Sequence, residues 1–412
     1  MGLLKVDEFK PGMVLAADLK SSQGRMLLPQ GIHLTEQHIK TCKIWGVVEG
    51  DILGEGNQDA ETPPSVLNPE DLEKARCTAK MKFCLTDVRH PMVREAVKLF
   101  ILRKAQALAL NSGDDSDALS LSDTSLSEQA LLGREKVEDI AQQELELASH
   151  PDILRHILQA SSDPLASAAY VAEVVGKDVA LSAKLLKVVN TPFYGFPQKV
   201  DTISRAIVLL GQDKVAGLAM GISVINMFQG VQGKLLDMAG FWKHSVACGI
   251  MGMVLAAHCN EQDKEHFFVA GLLHDVGRLI MLKNRVQAVQ SVLAESRRLN
   301  VALHDLENAR WGFDHARLAE LVLGKWQLPE NLLLAVRYHH APGICGYARD
   351  AVMIHVADFL THSLSLGNSG STLVPPLDRH AWESLGLSKN VLPVLARQVD
   401  AQVGHTMRIF FG

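Results

Sequence analysis

The sequence predicts a mainly α protein: a long all-helical bundle preceded by a small β-containing module and a helical linker. Three observations lead there. From about residue 135 onward, apolar residues recur at three- and four-residue spacing, with no strand alternation and no Gly-rich phosphate loop. The breaks between these segments carry helix start and stop signals. The first 60 residues differ, with Pro and Gly punctuating short apolar runs in the manner of strands joined by tight turns.

Taken in order, residues 1–60 form the β-rich module. Pro11-Gly12, Gln23-Gly24 and Pro29-Gln30-Gly31 separate Met13-Val-Leu-Ala16 from Met26-Leu-Leu28, which predicts a small meander. Thr35 is placed to cap a short helix, and Trp45-Gly-Val-Val-Glu49 is expected to return as the last strand. Residues 61–135 read as a helical linker in which Pro91 separates two helices; its stretch 111–128, rich in Ser and Asp, buries too little to offset its chain entropy and is expected to be flexible. Residues 136–365 carry the bundle. Its breaks include Ser161-Ser-Asp-Pro164, with capping oxygens ahead of a first-turn proline, the turn Asn190-Thr-Pro-Phe-Tyr-Gly195, and Gly211. Residues 366–412 follow as a C-terminal helical extension whose last helix runs from about Asn390 to Arg408.

Composition narrows the class. At 412 residues, 47% hydrophobic and 21% charged, the chain has the make-up of a soluble globular protein with more than one core. A net charge of −5 offers no surface for nucleic acid or anionic membrane. The six cysteines lack any Cys-x-x-Cys spacing and read as reduced thiols. There is no secretory leader and no apolar run near the ~20 residues of a bilayer span, so the expected location is cytoplasmic.

The candidate chemistry lies in polar residues that interrupt apolar helices: His244, His274-Asp275 within Gly271-Leu-Leu-His-Asp-Val-Gly277, His315, His339-His340 and Asp358. Burying such groups is costly unless something satisfies them. Imidazole and carboxylate drawn from several helices to one point make a ligand set for Zn, Mn or Fe. Asp275 suits a position shared between two metals, and Asp358 has His355 and His362 on its own helix face. In a hydrolase, Asp275 would serve catalysis, and Arg278 or Lys243 would hold the phosphate. His258, His266, His304 and His355 are assigned to the core or surface, and Trp242, Trp311 and Trp326 to the core.

Three stretches resemble the HDOD domain, a bacterial signalling relative of the HD-domain phosphohydrolases. They are Asp178-Val-Ala-Leu-Ser-Ala-Lys-Leu-Leu-Lys-Val-Val-Asn190 with Ile203-Ser-Arg-Ala-Ile-Val-Leu-Leu-Gly211, then Ala270-Gly-Leu-Leu-His-Asp-Val-Gly-Arg-Leu-Ile280, then Trp326-Gln-Leu-Pro329 with His339-His340. The N-terminal Lys10-Pro-Gly-Met-Val-Leu-Ala16 with Leu28-Pro-Gln-Gly31 is similar to the small module ahead of many HD-GYP cyclic di-GMP phosphodiesterases. The resemblance implies an all-helical HDOD bundle and a role in bacterial signal transduction. By the same resemblance His244, His274, Asp275 and Asp358 match the HD metal ligands, and His315, His339 and His340 the extra histidines of the HD-GYP branch.

Three departures point away from cyclic di-GMP hydrolysis. Arg278 stands where HD-GYP proteins have Lys, Ala341 where they have Glu, and Gly346-Tyr347-Ala348 where they have Gly-Tyr-Pro. The expectation is therefore a regulatory protein, with a protein partner or a nucleotide-like small ligand and a retained divalent metal, rather than an enzyme. Its rival is a metal-dependent phosphohydrolase acting on a nucleotide or another phosphoester.

Overall fold

Five strands and a helix build the N-terminal module, seen in a computed structural model that describes residues 2–20, 26–28, 32–44, 47, 49–53, 68–110, 135–147, 156–157, 168–191, 194, 196, 198–228, 236–261 and 263–411. Strands β1 (Gly2–Lys5), β2 (Val14–Leu15) and β5 (Glu49–Leu53) form a sheet of order β1-β5-β2, while β3 (Leu19–Lys20) pairs with β4 (Met26–Leu28). A meander would have placed neighbours side by side; instead the last strand is the central one, antiparallel to both others. Trp45, Gly46 and Val48 of the expected strand lie outside the described residues. The apolar Ile52 of β5 is the residue that enters the module's core, beside Leu15, Phe9 and Leu34. Helix α1 (Glu36–Ile44) starts after Thr35, whose Oγ1 accepts from His38 N at 3.2 Å.

Helices α2 (Pro69–Lys82) and α3 (Pro91–Ala109) occupy the segment expected as a linker, and Pro91 opens the second as predicted. They are built into the bundle, however. Ala79, Phe83, Met92, Val93, Ala96 and Phe100 belong to the main core, and the Arg103 fork bonds Asp400 at 2.6 and 3.0 Å. The spacing 92, 93, 96, 100 is a helical stripe, and it is buried because the C-terminal helices cover it. The Ser/Asp-rich stretch 111–128 and the break at Ser161–Pro164 lie outside the described residues.

The bundle continues with α4 (Val137–Leu147), α5 (Ala168–Gly176), α6 (Val179–Val189), α7 (Ile203–Leu210) and α8 (Gln212–Met227). Asp178 caps α6 and Thr202 caps α7, each side chain accepting from a backbone N–H three residues on. Asn190, at the end of α6, is a structural clasp. Its Nδ2 donates to Leu186 O and Val200 O, both at 2.7 Å, and its Oδ1 accepts from Val200 N at 2.8 Å. Three such bonds at about 1 kcal/mol each predict that Asn190→Ala loses about 2–3 kcal/mol in urea melts, with metal binding unchanged. A loss under about 0.5 kcal/mol would show that the clasp is solvated in solution.

The functional half comprises α9 (Met238–His258), α10 (Glu265–Leu273), α11 (Val276–Asn284), α12 (Val286–Leu299), α13 (Leu303–Trp311), α14 (His315–Lys325), α15 (Glu330–Tyr338) and α16 (Arg349–Ser363). Helices α9 and α16 are buried almost all round. Trp242, Trp311 and Trp326 are core residues, as expected. Helix α9 meets α10 backbone to backbone: a Cβ on Gly271 would lie 2.5 Å from Gly249 N. Helices α17 (Arg379–Ser384) and α18 (Leu392–Phe411) close the core rather than extend from it, with Leu395, Val399, Val403 and Phe410 packed inside. No helix among the described residues is long and apolar enough to cross a membrane.

Candidate metal centre

Each singled-out residue sits where its helix can aim it at one point. His274 and Asp275 occupy the joint between α10 and α11, so both side chains leave the apolar run at the break. His244 lies in the second turn of α9, His315 opens α14, His339 ends α15 and Asp358 is in the middle of α16. All six are buried; His274 is 0% and Asp275 1% exposed. His340 is half-buried beside them, its Nε2 3.0 Å from that of His315.

The ring orientations are set from outside. His274 Nδ1 donates to Gly271 O at 2.6 Å, His339 Nδ1 to Val336 O at 2.7 Å, and His315 Nδ1 to Glu307 Oε2 at 2.5 Å. Anchoring Nδ1–H on an oxygen turns Nε2 inward as a lone-pair donor, the arrangement seen around protein-bound metals. The Nε2 atoms of His274 and His339 are buried without a hydrogen-bond partner, as are His244 Nδ1 and Asp275 Oδ1. Orphaned atoms of this kind are rare in a native interior.

Asp275 stands at the centre with its two oxygens facing different neighbours. Oδ1 is 3.0 Å from His315 Nε2 and 3.9 Å from His339 Nε2; Oδ2 is 3.3 Å from His274 Nε2 and 3.9 Å from His244 Nε2. Arg278 also holds Oδ2 at 2.8 Å and is fastened to Ser369 O and Oγ at 3.0 and 2.7 Å. Asp358 Oδ1 accepts from His244 Nε2 at 3.1 Å and lies 3.4 Å from His362 Nε2. Lys243 is half-exposed, and among the described residues no ion pair joins it to the cluster.

Three further contributors went unassigned in the sequence. His362, four residues after Asp358, had been placed on that residue's face but not in the site. Glu307 and Ser369 had no local signal. His304, assigned to core or surface, stacks on His340 with ring centroids 4.0 Å apart. His355 is structural: Nδ1 donates to His339 O and Nε2 accepts from Asp378 N. His258 and His266 pair with Gln398 and Asp350, away from the cluster.

Burial and charge divide the group. Burial alone would lower the His274 pKa, but Asp275, Cys248 and Asp358 together outweigh it and the net shift is well upward. Burial would raise Asp275, yet Arg278 and His274 hold it well below the usual carboxylate range. Burial drives His339 and His340 well down, and His362 to about 3. The sign for stability follows. A histidine neutral when folded, but protonated below about 6.5 when unfolded, makes the unfolded chain the better proton acceptor in between. Stability thus falls as pH drops from about 6.5 toward about 3, and the depressed carboxylates add to the loss. The raised His274 acts oppositely, its contribution fading as pH climbs through its higher pKa. Metal-stripped protein is expected to melt lower at about pH 5 than at about pH 7.5 by circular dichroism; equal melting points would contradict buried neutral histidines.

These features accompany a family match. Residues 147–342 match the HDOD domain. The chain carries an HDOD domain. An HDOD domain protein of unknown function from Geobacter sulfurreducens shares the fold at TM-score 0.53 and 22% identity, over 66% of this chain and 96% of that one. A provisionally named phosphohydrolase from Shewanella amazonensis SB2B does so at TM-score 0.51 and 21% identity, over 68% and 98%. Among curated proteins, an uncharacterized protein of Treponema pallidum is 22% identical over 191 residues, 46% of this chain and 37% of its own length. The match thus spans little more than a third of that relative. At these identities the likeness establishes the HDOD fold.

The donor set fits a divalent metal. Asp275, His315, His339 and His340 offer ligand atoms within 4.8 Å of one another, and so do His244, His274 and Asp275, and His244, Asp358 and His362.

Proposed function

We propose that this protein is a regulatory HDOD protein whose histidine–aspartate centre holds a divalent metal, Zn, Mn or Fe, and whose bundle transmits its state to a protein partner or a small nucleotide-like ligand. The N-terminal module would then be of the kind that precedes HD-GYP phosphodiesterases. The observation carrying this is a buried centre with little free space beside it. Nε2 atoms fixed from behind converge in the interior without partners, while the space beside Arg278, Asp358 and His362 is a cavity of about 10 Å³. That is room for one water, not a phosphoester. Leu85, Leu303, Leu373 and Pro375 line it.

In this role the side chains position one another. Glu307 and the backbone carbonyls of Gly271 and Val336 hold the imidazoles, and Arg278 steadies Asp275 against α11. Any change that moves one ligand is therefore felt by helices α9, α11, α14 and α16 together, which suits a device that reports a state.

One observation favours the rival phosphohydrolase: the Asp275 oxygens face two separate histidine sets, as a carboxylate shared between two metals would. A bound metal would supply a Lewis acid and an acidified water there. Against it, Arg278 already spends Nη1 on Asp275 and Ser369.

The test is metal content of tag-free protein purified without chelators, beside Asp275→Ala, with turnover of bis(p-nitrophenyl) phosphate and mononucleotides followed on the same samples. One or two equivalents of Zn, Mn or Fe, lost in the variant, with no turnover, is expected. Turnover by the metal-loaded protein that the variant lacks would put the phosphohydrolase in place of the regulator. Metal-free protein from metal-replete cells would overturn the centre itself.

A further inference from the structure

We propose that Cys248 is an additional ligand of the centre, and that its sulfur makes one side of it a zinc-preferring site. The inference rests on the metal reading above and adds the identity of one donor and the class of ion it selects.

Cys248 lies in α9 four residues after His244, so both project from one helix face into the same interior. It is fully buried. Its Sγ, a ring nitrogen of His274 and a carboxylate oxygen of Asp358 lie within 4.8 Å of one another. Bonds of about 2.3 Å to sulfur and about 2.0–2.2 Å to nitrogen and oxygen cover most of that separation, leaving small side-chain rotations to complete it. A second observation is independent of the cysteine. His274 Nε2, with Nδ1 pinned to Gly271 O, is wholly buried without a hydrogen-bond partner and sits 3.5 Å from Asp358 Oδ1.

The other cysteines are placed differently. Cys42 packs in the N-terminal module, Cys77 and Cys84 are exposed, and Cys259 and Cys345 donate to the carbonyls of Leu385 and Pro342. Among the described residues Cys248 is the thiol that meets the histidine–aspartate cluster.

The consequence is an asymmetric centre. On one side of Asp275 stand Cys248, His274 and Asp358, a sulfur, nitrogen and oxygen set; on the other stand His315, His339 and His340. A thiolate favours zinc over manganese, whereas imidazole and carboxylate alone discriminate less. The sulfur-bearing side would therefore keep zinc where the other side exchanges.

Cobalt(II) tests this on the full chain after its native metal is stripped. Wild-type protein titrated with Co(II) is expected to show visible d–d bands together with a near-ultraviolet sulfur-to-cobalt charge-transfer band. Cys248→Ser should keep visible bands, lose the charge-transfer band, and lower the preference for zinc over manganese by about tenfold or more. Should that variant fold poorly, a band that survives replacement of the exposed Cys77 and Cys84 by Ser supports the role, and a band lost with them overturns it. Visible bands without charge transfer would leave the metal reading standing and overturn the role of Cys248. A charge-transfer band that persists in Cys248→Ser would overturn it as well. No bands at all would overturn both.

Discussion

Asp275→Ala is expected to abolish metal binding and also to cost about 3–5 kcal/mol in the metal-stripped protein, because it leaves a buried cation without its partner. Arg278 is 6% exposed and gives Asp275 its shortest charged contact, at 2.8 Å. Without the carboxylate, the guanidinium keeps only Ser369. His274 loses the foremost of the groups that hold its pKa up against burial. Urea melts of wild type, Asp275→Ala, Arg278→Met and the double variant form the check. The double variant should recover part of the loss, since an apolar side chain replaces the stranded charge. A single-variant loss below about 1 kcal/mol would mean that Arg278 reaches water by another route.

Gly277→Ala is expected to be the most damaging glycine substitution in the HDOD bundle. A Cβ there would lie 2.0 Å from His315 O and 2.8 Å from His315 C, atoms of the backbone that cannot rotate away. Helices α11 and α14 would have to part, and overpacking that forces backbone shifts costs about 1–3 kcal/mol or more. The same movement takes His315 away from Asp275, so metal affinity should fall with stability. Gly324→Ala is the control. Its nearest neighbour is Leu333 Cδ1 at 3.6 Å, and the helix gain of about 1 kcal/mol should leave it neutral or stabilised. Equal melting of the two variants would refute the close approach. The Gly of the His-Asp-Val-Gly motif is thus a spacer that lets α14 bring His315 into reach, rather than a chemical group.

Much of this was legible in the chain. The three- and four-residue rhythm marked the bundle helices, Thr35 stood at a helix start, and Pro91 divided α2 from α3. His274-Asp275 in an apolar run announced a polar interior. Cys248 carried the same four-residue signal relative to His244 as His362 did relative to Asp358, although neither was taken up as a ligand. Arg278 also illustrates the limit. Three residues after Asp275 it was within reach of that carboxylate, yet whether it would clasp Asp275 or a phosphate depended on Ser369, 91 residues away.

What the sequence determined by itself was everything set by local periodicity and composition: a β-rich start, a long helical remainder, and a handful of titratable residues too buried to be decoration. The tertiary structure alone decided the rest. It packed the two helices of the expected linker into the core, placed the last N-terminal strand between the first two, set Glu307 behind His315, and split the histidines between the two oxygens of Asp275. The physical reason is range. A helix is written by neighbours within four positions, whereas ligand geometry is fixed by how closely helices far apart in sequence can approach, and here bare glycine backbones at Gly249, Gly271 and Gly277 set that distance.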